Sequence, residues 1–251
     1  MRLSLIPLIA LILLSAAQAQ KKPGSPTEAV ISFYRALKDK RYVEGFRHSV
    51  YRNAVEGLTP AELQDLDADF ARTFAEIPDK IEPTNEQISG ETATVALKFG
   101  GADEPQQVVL VRVGSDWLVG DKETLSLVNA QGRAFFFNAR MLVNEGEAYE
   151  MLQRIIGAEI MYSRKFEGTV ASLPELIRLG GVPKDIEDGE AGGYKFTLTV
   201  SADAKGFSAT ASPTTYGKTG KTSFYADIHG VRGEDAKGQP ATARSPIYQP
   251  K

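Results

Sequence analysis

The apolar residues of this chain keep helical spacing for a stretch and then switch to strand spacing, and they do so twice. Hydrophobic period is the strongest local signal of secondary structure, so this switch restricts the fold more than any other feature. Ser25-Pro26-Thr27-Glu28 opens the first helix: Ser25 caps, Pro26 fits the first helical position and Glu28 closes a capping box. Ala29, Val30, Phe33, Tyr34 and Leu37 then share one face. A second helix is expected over Tyr42 to Val50, with Phe46 inward. Thr59-Pro60-Ala61-Glu62 repeats the cap, and Leu63, Leu66, Phe70 and Phe74 stripe a third helix that Pro78 stops. Strands are expected at Ile81–Ile88, Glu91–Phe99, Gln106–Val113 and Trp117–Gly120, joined by Gly-rich turns. Helices followed by a meander of strands give an α+β order, not a βαβ one.

Residues 122–143 bridge to the second half, and Phe135-Phe136-Phe137 within them needs apolar cover. A helix is expected from about Asn144 to Phe166, with Ala148, Leu152, Ile155, Tyr162 and Phe166 on one face and Met151, Ile156 and Ala158 beside them. A loop-rich stretch follows, then strands at Tyr194–Val200, Phe207–Ser212 and Thr222–Asp227. The tail from Gly233 is polar and contains Pro, as surface or mobile segments do. The reading is α+β with two domains, each of helices on a curved antiparallel sheet: 25–121, a connector at 122–143, a second unit at 144–233 and a tail at 234–251.

The first unit resembles the nuclear-transport-factor-two-like superfamily. The residues concerned are the Ser25–Leu37 opening, Ser-Pro-x-Glu-Ala-Val-x-x-Phe-Tyr-x-Ala-Leu, and the close Val109-Leu110-Val111 with Ser115-Asp116-Trp117-Leu118-Val119. The resemblance implies a cone of helices packed across a curved sheet, a fold that hosts enzymes and binders alike. The second unit is similar to the globular head of bacterial type IV pilin-like and pseudopilin-like proteins. This rests on Asn144-Glu145 and the helix to Tyr162, Ser172-Leu173-Pro174-Glu175-Leu176, Gly193–Leu198, Phe207–Pro213, Ser223–Asp227 and Gly230-Val231-Arg232. It implies a helix laid on a small antiparallel sheet. A pilin carries a Glu near the start of a long apolar helix, directly after a peptidase site; here the residues before Asn144 are not a continuous apolar span, so assembly as a pilus subunit is not expected.

The N-terminus reads as a secretory signal peptide over residues 1–19. Met1-Arg2 supplies the positive end, Leu3 to Leu14 the apolar run, and Ala17-Gln18-Ala19 the small-residue exit, so the mature chain is expected to begin at about Gln20. The apolar run falls short of the roughly 20 residues that span a bilayer, and no second such run follows. The expected location is therefore the periplasm or the exterior. The chain has no Cys, which excludes disulfides, a lipidated Cys and a Cys nucleophile. It carries 29 Lys and Arg against 32 Asp and Glu; loss of residues 1–19 removes only Arg2, for a net charge of −4. With no basic stripe, nucleic acid is not an expected partner.

Few residue constellations point to chemistry. Gly217-Lys218-Thr219-Gly220-Lys221-Thr222 brings a phosphate loop to mind, but the required earlier Gly is Thr215 and a strand, not a helix, follows. A hairpin turn is the better reading. Asp65, Asp67 and Asp69 alternate along a predicted helix, where neighbouring members of the set diverge, and read as a solvated face. Asp185 and Asp188, with Glu187 and Glu190, form the one weak calcium candidate. His48 and His229 are the only histidines, and neither H-E-x-x-H nor G-x-S-x-G occurs. If the first unit has a cone pocket, Tyr34, Tyr42, His48, Tyr51 and Trp117 are its candidate lining.

Two functions remain open. The first is a non-catalytic interaction or assembly-support module of the bacterial cell envelope, without cofactor, binding an envelope protein. The second is a small-ligand binder or isomerase-type enzyme, which needs a carboxylate base beside a donor pair in an apolar pocket. A cone filled by Phe33, Leu37, Phe70, Phe74 and Trp117 favours the first; a deep cavity with a buried Asp or Glu beside a Tyr or His favours the second.

Overall fold

The computed structural model describes residues 24–250; the leader at 1–19 and its cleavage point lie outside the described residues. The chain is α+β, with two antiparallel sheets. Helix α1 (Pro26–Lys38) begins with the capping box its sequence requires: Ser25 Oγ accepts the Glu28 N–H at 3.1 Å, and the Glu28 carboxylate accepts the Ser25 N–H at 3.0 Å. The helix expected over Tyr42–Val50 divides into α2 (Tyr42–Arg47) and α3 (Arg52–Glu56). Between them the backbone turns away to pair with a strand: Val50 N–H donates to Val119 O, and Val119 N–H to His48 O, both at 2.9 Å. The Ser49 hydroxyl donates to Phe46 O at 2.8 Å, beside the Ser49 N–H on the same carbonyl at 3.0 Å, and so ties the turn back to the end of α2. Helix α4 (Pro60–Thr73) carries the second capping box, between Thr59 and Glu62.

Strands β1 (Ile81–Ser89), β2 (Thr92–Phe99), β3 (Gln106–Val113) and β4 (Asp116–Val119) form an antiparallel meander in chain order. Its inner face, with Val95, Leu97, Leu110 and Trp117, packs on Val30, Phe33 and Leu37 of α1 and on Phe46, Leu66 and Phe70. A small cluster of Val50, Val111 and Leu118 is covered by Leu125 of α5 (Lys122–Gln131).

The bridge at 122–143 is helical. After α5 and one 3-10 turn (Gly132–Ala134), helix α6 runs from Phe135 to Lys165, 31 residues. At about 1.5 Å per residue it is about 46 Å long. It thus begins well before the expected Asn144. No side chain caps its start, and Gly132 just upstream has φ 52°, so neither usual N-terminal signal marks it. Its Phe triplet finds its cover in the first core: the Phe136 ring lies 5.1 Å from Phe46 and 5.0 Å from Phe70.

The C-terminal half of α6 lies across the second sheet, β5 (Glu190–Ala191), β6 (Tyr194–Val200), β7 (Phe207–Pro213), β8 (Ser223–Asp227) and β9 (Gly230–Glu234), again antiparallel and in chain order. Ala148, Leu152 and Ile155 meet Tyr194, Phe196, Ala209, Ala211 and Phe224 there, with Leu176 of α7 (Leu173–Arg178) closing one side. Three strands are expected from period alone; β5 and β9 are additional. The tail is also anchored rather than loose: Gly233 N–H donates to Pro246 O at 2.9 Å, Tyr248 N–H to Val231 O at 3.0 Å, and the Tyr248 ring meets Phe224 edge-on at 4.9 Å. Gly233 permits this, because a Cβ there would stand 2.9 Å from the Tyr248 ring. Among the described residues no helix is long and apolar enough to cross a membrane.

Candidate functional site

The five residues expected to line one pocket fall into separate places. Tyr34 packs edge-on between Phe33 at 5.1 Å and Phe99 at 5.2 Å. Tyr42 lines a shallow cleft of about 380 Å³ with Arg41, Glu44, Asp67 and Phe70. Tyr51 lines another, of about 310 Å³, against Phe46, Phe135 and Phe136. His48 and Trp117 share a third, polar cleft of about 340 Å³ with Ser25, Glu28, Arg47 and Asp116. The Arg112 guanidinium sits 5.8 Å from the Trp117 ring centre. Burial pushes the phenols of Tyr34, Tyr42 and Tyr51 up; the Asp67 charge adds to this for Tyr42 and the Asp121 charge for Tyr51. All three stay protonated at neutral pH, as donors and not bases.

The interior of the first sheet is filled. Phe33, Leu37, Phe70 and Trp117 are buried in one cluster, and Phe74 packs against it half-buried. Among the described residues the only buried carboxylate is Glu159, and it belongs to the second core. The acids that share clefts with Tyr42 (Glu44 and Asp67) and with His48 (Glu28 and Asp116) are exposed, whereas an isomerase-type site calls for its carboxylate inside an apolar pocket.

The calcium candidates do not gather either. Asp185 lines a cleft with Glu147, Glu150 and Arg154, while Asp188 sits in the turn before Gly189. No group of three or more His, Cys, Asp or Glu among the described residues is arranged for a metal. His229 lies in the β8–β9 turn, where its N–H donates to Asp227 Oδ1 at 2.8 Å.

The Gly217–Thr222 segment connects β7 to β8, as its sequence implies. Its amide groups do cradle an anion, but an internal one. Glu145 Oε1 accepts the N–H groups of Lys221 at 2.8 Å and Thr222 at 3.0 Å, and Oε2 accepts the Thr222 hydroxyl at 3.0 Å. Asn144 Nδ2 donates to Thr219 O at 2.9 Å. Gly220 is required because any Cβ would collide with the Tyr194 hydroxyl, which donates to Thr222 O at 2.8 Å. The loop is fixed to α6, with its donors already taken.

Three arrangements escape a reading by motif. First, Asp65 and Asp69, one helical turn apart on α4, clamp Arg140 of α6: Nε meets Asp69 Oδ2 at 2.7 Å, Nη1 meets Asp65 Oδ1 at 3.2 Å and Nη2 donates to Asp65 O at 2.7 Å. The Arg140 side chain is 12% exposed, and Lys218 of the β7–β8 loop approaches Asp65 at 3.8 Å. The solvated-face reading of this acidic set is corrected here for Asp65 and Asp69, while Asp67 is exposed as that reading expects. It compared alternate residues, which diverge, and passed over the i, i+4 pair, which converges. Second, the Glu159 side chain is fully buried. Its Oε2 accepts the Ala171 N–H at 2.9 Å, while Oε1 has no partner among the described residues. Burial raises its carboxyl above the usual range, opposed by that single hydrogen bond. Third, an open apolar groove of about 560 Å³ runs between the C-terminal end of α6 and α7. Met161, Phe166 and Leu179 stand exposed along it.

No family model matches the chain, and no curated protein or solved structure matches it either.

Proposed function

We propose that this chain is an exported, non-catalytic module of the bacterial cell envelope that works by holding a protein partner or supporting an assembly. The filling of the first core carries the reading: Phe33, Leu37, Phe70 and Trp117 occupy the place a substrate would need, with no buried carboxylate among the described residues of that half. The scattered positions of Tyr34, Tyr42, Tyr51 and His48 support it, since general acid–base work requires groups within hydrogen-bond reach of one substrate. Export rests on the residue pattern at 1–19. The exposed apolar groove beside α7 adds a surface of the kind that binds proteins.

The test is expression of the tagged chain in a bacterial host, followed by fractionation and N-terminal sequencing. The reading expects a soluble envelope fraction beginning at Gln20. Full-length protein in the inner membrane or cytoplasm overturns the export half. Stoichiometric binding of a small apolar ligand that protects Tyr34, Tyr42 or Tyr51 from iodination overturns the partner-holding half in favour of a small-ligand site, and turnover of such a ligand overturns the non-catalytic reading.

A further inference from the structure

Three of the six exposed large apolar side chains described after Asn144 stand together beside α7. Met161 is 66% exposed, Leu179 44% and Phe166 38%, and all three line the same groove, floored by Tyr162 and Leu176. Scattered apolar residues need no explanation, but a contiguous patch does. The patch is also pre-formed. The Tyr162 and Phe166 rings stack at 4.3 Å with an interplanar angle of 30°. A Cβ on Gly181 would stand 3.0 Å from the Ala158 Cβ, so the chain after α7 lies tight against α6.

The charged side chains that line the groove itself are both basic, although Arg154 also borders the neighbouring cleft with Glu147, Glu150 and Asp185. Arg154 and Lys165 line it, and no Asp or Glu does. Arg154 has no ion-pair partner among the described residues, and Lys165 has only the Phe166 ring, at 5.5 Å. Nearby Arg178 is already neutralised by Glu175 at 2.6 Å. Arg154 and Lys165 lie on one helix, about 16 Å apart along its axis at about 1.5 Å per residue. That spacing equals about three turns of a partner helix. The groove is an open trough, not a closed tunnel, which suits side chains entering from one face rather than a sequestered acyl chain.

We infer that this groove docks an acidic amphipathic helix of a protein partner, with large apolar side chains seated between Met161, Phe166 and Leu179 and carboxylates at the two ends meeting Arg154 and Lys165. The inference rests on the interaction reading above and specifies the partner's chemistry. Helix-in-groove recognition uses apolar anchors at i, i+3, i+4 and i+7, and complementary charge fixes the orientation.

The experiment is selection of random peptides displayed on phage against the purified full-length chain, with Met161→Asp, Leu179→Asp and the double variant Arg154→Glu/Lys165→Glu as counter-targets. Enriched peptides are expected to carry Leu, Phe or Met at helical spacing together with Asp or Glu. Synthetic copies should lose about tenfold or more in affinity on each of the three variants. Met161 and Leu179 are exposed, so their substitution leaves the fold intact, which circular dichroism checks. The inference is overturned by the absence of enrichment, by neutral or basic winners, or by affinity unchanged in the charge-reversal variant. It is equally overturned if anionic phospholipid vesicles, and not peptides, bind in a Met161-dependent way. None of these results affects the fractionation test of export, so the two ideas fail separately.

Discussion

Replacing Glu159 with glutamine isolates the one buried carboxylate among the described residues. The wild-type side chain has Oε2 on the Ala171 N–H at 2.9 Å and leaves Oε1 without a partner. Glutamine preserves that accepted bond and imitates the neutral acid. Burial raises the folded-state pKa above the ordinary carboxylate value. As pH climbs past that ordinary value, the unfolded chain therefore releases its proton while the folded one retains it. The unfolded state then binds fewer protons, so stability falls with rising pH until the folded-state value is passed. Below the ordinary range both forms are neutral and the variant should match wild type. Above the raised value the wild type bears a buried charge with an unsatisfied oxygen, which costs about 1–3 kcal/mol. For a chain of this size each kcal/mol moves the melting point by about 2–4 °C. Melting curves from about pH 4 to about pH 8 should thus coincide at the acid end and separate by about 2–12 °C at the other, with Glu159→Gln the more stable. A gap independent of pH, or a variant less stable at alkaline pH, refutes the reasoning.

Arg140→Ala removes a guanidinium shared between Asp65 and Asp69. Hydrogen bonds to charged groups contribute about 1.5–3 kcal/mol, so urea unfolding should show a loss of that order; a loss below about 0.5 kcal/mol would place the pair with ordinary surface charges. Glu145→Ala frees the N–H groups of Lys221 and Thr222, and their amide hydrogen exchange should accelerate selectively within the β7–β8 loop, while unchanged protection would contradict the cradle. Leu152→Ala, at a fully buried position, should cost about 2–5 kcal/mol, whereas Met161→Ala, at 66% exposure, should stay within about 0.5 kcal/mol by the same denaturation assay. Millimolar ATP should leave the melting point unchanged, because Glu145 occupies the donors of the Gly217–Thr222 loop.

The elements that were legible in the sequence are those whose local signals agree with their packing. The capping boxes at Ser25–Glu28 and Thr59–Glu62 start α1 and α4 where the residues require. The alternation of Ala93, Val95 and Leu97 gives β2 directly. The start of α6 was not legible, because Phe135-Phe136-Phe137 has neither a cap nor a polar face, and its cover comes from Phe46 and Phe70, distant in sequence. Strand β9 was missed for the opposite reason: Gly230-Val231-Arg232-Gly233-Glu234 carries one large apolar residue, and its Gly233 makes room for the Tyr248 and Phe224 rings. The one short helix expected over Tyr42 to Val50 stops early through tertiary override, since the β4 ladder claims the backbone at His48–Val50. Of the candidate site, the residue types were visible but their convergence was not. Tyr34, Tyr42, His48 and Tyr51 do not meet, while Arg140, Asp65 and Asp69 do, through a contact between helices far apart in the chain.

Photo-crosslinking inside exporting bacterial cells tests the central claim most directly. A benzophenone side chain is placed at position 161 in one strain and at position 34 in another, and the soluble envelope fraction is analysed by mass spectrometry. The account predicts a chain beginning at Gln20 that forms a discrete protein adduct from position 161 and none from position 34, with the adduct lost when Arg154→Glu/Lys165→Glu is added. A chain retaining residues 1–19, or an absence of any adduct from position 161, contradicts it.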